Sequence, residues 1–137
     1  MSTMFCYCAA SRRLSRLLTA RYDAALSAAG LTAAQFEALS RLSARGPSNG
    51  RVLAQQLALD KTTLSRNLKT LLESGLVEAA PGEDARTVVY ALSTAGRKRL
   101  AKAMPLWQGA HDASLAMLGS QAAASQRALE RMNLNLR

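Results

Sequence analysis

Apolar residues recur along this chain first at helical spacing, then briefly with a period of two, then at helical spacing again. From Ala9 to Ala29, Leu14, Leu17, Leu18, Ala25 and Leu26 follow a helical rhythm that Gly30 stops. Thr32-Ala33-Ala34-Gln35 has the form of a capping box, and Phe36, Leu39 and Leu42 make the inward stripe of a second helix. Gly46-Pro47-Ser48-Asn49-Gly50 reads as a loop, and Val52, Leu53 and Leu57 mark a short third helix packed on the next. Within Leu59 to Glu78, at 100° per residue, Leu64, Leu68, Leu71 and Leu72 share one sector while Thr62, Thr63, Arg66, Lys69 and Thr70 lie opposite. Asp60 is placed to cap this fourth helix, and Ser74-Gly75 supplies the left-handed residue that ends it.

The period then shortens. Leu76-Val77-Glu78-Ala79 predicts a strand, Pro81 to Arg86 a turn-rich connector, and Thr87 to Leu92 a second strand of β-branched and aromatic residues. Thr94 is expected to cap a long helix running towards Gly119, with Leu100, Met104, Trp107, Leu115 and Leu118 apolar and a kink at Pro105. A last helix, about Gln121 to Leu136, carries Leu129, Met132, Leu134 and Leu136, with Ala122-Ala123-Ala124 expected as a frayed turn.

The third and fourth helices followed by a hairpin have the order of a winged helix-turn-helix. The polar face of the fourth helix offers hydroxyls, one guanidinium and one ammonium, the donors that suit phosphates and the O6/N7 edge of guanine. Arg86 at the loop tip is placed to enter a narrow minor groove, with Asp84 two residues earlier expected to hold its guanidinium. Taken alone, the helix also fits an ordinary amphipathic surface helix, and the hairpin an ordinary turn with two exposed charges.

Composition narrows the classes. With 137 residues and 49% apolar content the chain is expected to form a single domain, residues 1–137. Eighteen Lys and Arg against nine Asp and Glu give a net charge of +9, which favours a polyanionic partner without choosing among DNA, RNA and an anionic surface. No apolar run is long enough to span a membrane and the start lacks a secretory pattern, so no membrane partner and a cytoplasmic location are expected. His111 is the one histidine, and the two cysteines form a single C-x-C pair, Cys6 and Cys8, so no metal site and no cofactor are expected. No motif flanks Cys8 or His111 that would make them a thiol-enzyme pair, and an enzyme is not expected. A sequence-neutral architectural nucleic-acid-binding protein stays open on charge alone.

Residues Leu59 to Glu78, Asp84-Ala85-Arg86 and Leu92-Ser93-Thr94-Ala95-Gly96 resemble the recognition helix, wing and following junction of the MarR family of bacterial transcriptional regulators. Tyr22-Asp23, Gly30-Leu31-Thr32 and Gln35-Phe36 resemble that family's first helix and the turn into its second, so the likeness runs over about residues 5–137. It implies a mainly α fold with a small β-wing: a winged-helix DNA-binding unit at about 31–96, flanked by dimerisation helices at about 5–30 and 97–137. It also implies a homodimeric repressor on an inverted-repeat operator in double-stranded DNA, touched by Thr62, Thr63, Ser65, Arg66, Lys69, Asp84 and Arg86. Ser65 enters mainly through the resemblance. Unlike many wings of the family, this one has Thr87-Val88-Val89 after Arg86 in place of further basic residues.

Two effectors are consistent with the resemblance. A small phenolic or aromatic acid would sit between the dimerisation helices and the DNA-binding unit, its carboxylate paired by Arg16 or Arg21. Alternatively, as in the peroxide-sensing branch of the family, Cys8 would act as a reactive thiol with Tyr22 as its hydrogen-bond partner and Cys6 nearby. A structural disulfide within the C-x-C pair is not expected.

Overall fold

The computed structural model describes residues 4–137, so the first three positions of the expected single domain lie outside the described residues. Helix α1 spans Tyr7–Leu26 and tightens into a 3-10 turn, Ser27–Ala29, which Gly30 ends in the left-handed conformation. The helix thus begins two residues earlier than its apolar rhythm suggests. Helix α2, Ala33–Arg45, starts with the predicted capping box: the Thr32 hydroxyl accepts from the Gln35 amide at 3.2 Å, and the Gln35 side chain accepts from the Thr32 amide at 2.9 Å. Asp23 of α1 adds a further cap, accepting from the Ala33 amide at 2.6 Å and so tying α1 to the start of α2.

The expected loop after α2 contains a strand. Ser48–Asn49 form β1, antiparallel to the wing strand β3 (Val88–Leu92), with Ser48 opposite Tyr90 and Asn49 opposite Val89. Two residues show no alternation to read, so only the distant partner reveals them. Helix α3, Gly50–Leu57, follows directly, its first turn capped by the Asn49 side chain accepting from the Val52 amide at 2.8 Å. Leu53 and Leu57 are buried as expected; Val52 is not, facing outward at 38% exposure.

Helix α4, Lys61–Glu73, buries Leu64, Leu68 and Leu71. Gly75 at φ +71° turns the chain into β2, Val77–Pro81. The sheet order is β1-β3-β2, and β2 pairs with β3 from Val77 opposite Leu92 to Pro81 opposite Val88. Pro81, expected in the connector, therefore ends an edge strand, where its missing donor costs no ladder bond.

Helix α5, Thr94–Leu118, is capped by Ser93 rather than Thr94: the Ser93 hydroxyl accepts from the Gly96 amide at 2.9 Å. The same hydroxyl donates to the Gly75 carbonyl at 2.6 Å, and the Ser93 amide donates to Leu76, so a tertiary contact selects which hydroxyl residue caps. Pro105, where the sequence predicts a kink, lies inside the helix, which continues to Leu118. A 3-10 turn, Gly119–Gln121, leads to α6, Ala122–Asn135, in which Ala122-Ala123-Ala124 are the first helical turn and not a frayed one.

The core is assembled from the end of α1, from α2, α3, α4, the start of β2, the end of β3 and the first three turns of α5. It stops there. Helix α6 has no buried residue, and Leu14, Leu17, Leu115, Leu118, Leu129 and Met132 are exposed.

Candidate nucleic-acid interface

The α3–turn–α4 pair is held by leucines on its inner side. Leu53 and Leu71 are fully buried and Leu57, Leu64 and Leu68 nearly so, which leaves one free face on α4. Thr62, Ser65, Arg66, Lys69 and Thr70 are exposed there, and Thr63 is half-buried at its edge. Thr63 also anchors the start of the helix, its amide and its hydroxyl donating to the two carboxylate oxygens of Asp60 at 2.8 and 2.9 Å. Those bonds, the backbone one first, hold the Asp60 carboxyl below the usual carboxylate range. The Thr63 hydroxyl is thus a cap component whose free lone pairs can still accept.

Charge on this face is mostly unneutralised. The Lys69–Glu73 pair at 3.9 Å is the only ion pair among the described residues, so Arg66 and Arg86 carry free guanidinium groups. In the wing, Asp84 does not hold the Arg86 guanidinium as the sequence suggested. Its carboxylate accepts from the Arg86 backbone amide at 3.2 Å and its carbonyl from the Thr87 amide at 2.9 Å. With the Gly82 amide donating to the Thr87 carbonyl at 2.7 Å, Asp84 shapes the turn and leaves the arginine side chain projecting.

A second site lies on the other side of α2. An open cavity of about 1050 Å3 is walled by α1, α2, α5 and α6, with Leu14, Leu18, Phe36, Leu100, Trp107 and Leu129 as its apolar surface. The Phe36 and Trp107 rings stack with centroids 5.9 Å apart, and His111 also stacks on Trp107 at 4.8 Å. Neither Arg16 nor Arg21 lines the cavity; its cation is Arg41, on the same face of α2 as Glu37 and Ser40. Although Glu37 keeps an exposed surface, desolvation of its carboxyl raises its pKa above the ordinary glutamate value, and the Arg41 charge opposes this. The Ser40 hydroxyl is buried with no partner among the described residues. Sequence reasoning does not single out these three, because the inward stripe dominates the α2 pattern; their i, i+3, i+4 spacing beside Phe36 is the signal that could have found them.

Cys6 and Cys8 are both exposed at the start of α1. The structure does not bring Cys8 and Tyr22 of one chain together: they lie fourteen residues apart on one helix, about 21 Å at 1.5 Å per residue. Tyr22 instead lines the cavity.

Comparison with known proteins gives a consistent picture. The MarR family model matches residues 29–87. The M. tuberculosis transcriptional regulator MosR, solved in complex with DNA, is 35% identical over 96% of both chains, with a TM-score of 0.87. A mutant of E. coli MarR complexed with operator DNA is 26% identical over 96% of this chain and 98% of its own, with a TM-score of 0.79. A probable transcriptional regulator from Pseudomonas aeruginosa is 28% identical over 87% and 92%, with a TM-score of 0.74. Comparison with curated proteins finds no match. Helix-turn-helix, wing and flanking helices superpose on these structures over nearly their whole length, and the chain belongs to the MarR family.

Proposed function

We propose that this protein is a homodimeric DNA-binding transcriptional regulator that represses by occupying an inverted-repeat operator. The observation that carries the reading is the division of α4 into a face buried by Leu64, Leu68 and Leu71 and a face that exposes Thr62, Ser65, Arg66 and Lys69. Arg66, at the centre of that face, would read base edges in the major groove, and Arg86 would enter the minor groove beside it. Thr63 and Asp84 act mainly by holding α4 and the wing in shape. Residues 31–96 form the DNA-binding unit; about 5–30 and 97–137 join two copies, because α6 buries nothing within one chain. The complexes of MosR and MarR with DNA support the partner.

The repressor is released by a small aromatic effector in the cavity beside Trp107, with Arg41, in place of Arg16 or Arg21, pairing its carboxylate. Such a ligand acts by preferring the spacing of the two DNA-binding units that does not fit the operator. The exposure of both thiols favours a second reading, in which an oxidant acts at Cys8.

Selection of bound duplexes from a random pool tests the proposal, followed by affinity for the winner. A strong preference, by roughly a thousandfold over scrambled duplex, is expected, with Arg66→Ala losing affinity and relaxing base preference and Arg86→Ala losing affinity alone. Equal binding to all duplexes would instead support an architectural role. Loss of binding with an organic hydroperoxide, absent in Cys8→Ser, would select the thiol reading over the aromatic one.

A further inference from the structure

The cavity beside Trp107 holds two opposite charges that do not meet. Glu37 and Arg41 stand one turn apart on the face of α2 that lines it, and among the described residues they are the only charged ones along its wall. At this spacing their Cβ atoms are about 5–6 Å apart, yet no ion pair joins them. The facing elements neutralise neither: α1 presents hydroxyls, Ser15 and Thr19 among them, α5 the Trp107 ring and α6 the Asn133 amide. Partial burial already disfavours the Glu37 carboxylate, an effect that the Arg41 charge only partly offsets. The Ser40 hydroxyl, on the same face of α2, is buried without a partner. A desolvated charge without a matched partner and a buried polar atom without a bond are both costly, and a ligand that supplies the partners recovers that cost.

We propose that the cavity takes an aromatic zwitterion, a ring whose tail carries an ammonium and a carboxylate on one carbon, with the ammonium on Glu37, the carboxylate on Arg41 and the ring against Trp107. The inference rests on the reading of this cavity as an effector site, and it adds a cation to the aromatic acid invoked there. Charge balance decides between the ligand classes. An aromatic acid gains Arg41 but brings a second anion beside Glu37; an aromatic amine gains Glu37 but brings a second cation beside Arg41. The like-charge neighbour costs each of them part of what the matched pair returns. A zwitterion forms both charge-assisted contacts and meets neither repulsion. Its two charged groups are close enough for the Glu37 and Arg41 side chains to reach them from consecutive turns of α2, while the flat ring packs on the aromatic wall that Phe36 and Trp107 form.

Trp107 is the only tryptophan, so its fluorescence reports on the cavity without a label. The probes are L-phenylalanine, 3-phenylpropionate, which lacks the ammonium, and phenethylamine, which lacks the carboxylate. The parent is expected to bind L-phenylalanine about tenfold more tightly than either fragment, the size of one hydrogen bond to a charged group. Glu37→Gln is expected to weaken L-phenylalanine while tightening 3-phenylpropionate, and Arg41→Gln to weaken L-phenylalanine while tightening phenethylamine. A cavity that a substitution merely loosens would weaken every probe alike, so the opposite shifts separate recognition from structure. An equal loss for all three probes in Glu37→Gln would overturn the inference. So would a parent that binds either fragment as tightly as L-phenylalanine; if that fragment is 3-phenylpropionate, the aromatic-acid effector still stands. A parent in which no probe alters Trp107 fluorescence or operator affinity overturns both.

Discussion

Ala58 shows how much one residue can contribute to the placement of α4. It closes α3 in the left-handed region at φ +52°, the one non-glycine there among the described residues, with its amide directed at the Ala54 and Gln55 carbonyls. A Cβ in this conformation crowds the following carbonyl at a cost of roughly 1–2 kcal/mol, which glycine avoids while losing more freedom on folding. Ala58→Gly is therefore expected to stabilise the protein by about 1 kcal/mol, seen as a higher denaturant midpoint with an unchanged slope. A lower midpoint would mean that the turn relies on the alanine methyl for packing. At the same scale, the hydrogen bonds of Asp60 and Asp84 explain these two acidic residues in a basic protein: one caps α4, the other folds the wing.

Among the elements, the start of α5 joins the turn between α4 and β2 by close backbone approach. The Ser93 amide and hydroxyl bond to Leu76 and Gly75, and a Cβ on Gly96 would overlap the Leu76 carbonyl oxygen. Helix α5 can therefore approach the start of β2 only because residue 96 has no side chain. Gly109, farther along the same helix, has nothing near its missing Cβ. Opposite signs follow for one chemical change. Gly96→Ala is expected to destabilise by about 1–3 kcal/mol through overpacking, and Gly109→Ala to stabilise by about 0.5–1 kcal/mol through helix propensity. Thermal unfolding of the two variants checks both, and equal shifts would show that the joint yields to the added methyl.

At the scale of the molecule, the core and the exposed apolar surface are segregated along the chain. Buried leucines run from Leu26 to Leu100, while the ends expose Leu14, Leu17, Leu118, Leu129, Met132 and Leu134. A 14-residue helix with no buried side chain is marginal in water, so α6 needs a second surface. The parent is expected to have twice the 14.6 kDa chain mass by light scattering, and Met132→Glu to shift it to monomer and to abolish tight operator binding. A monomeric parent would refute the assembly. The net charge of +9 acts at this scale as well, by steering the protein to the duplex at a rate that falls with salt.

The local elements and their signals were determined by the sequence alone. The capping box at Thr32, the Asp60 cap, the left-handed Gly75 and the leucine stripe of α4 each depend on residues within four positions of one another, a span that helix geometry sets without help from distant chain. The separation of Cys8 from Tyr22 along α1 belongs here too, since 1.5 Å per residue is enough to deduce it. What only the tertiary structure decided depends on partners far away in sequence. Strand β1 exists because β3 runs beside it, and Ser93 caps α5 because Gly75 is there to bond its hydroxyl. Arg41, not Arg16 or Arg21, faces the cavity because the rotation of α1 and α2 about their axes is set by how they pack with each other and with α5. Periodicity within one helix shows which side chains share a face, but which neighbour that face meets is a property of the assembled layers.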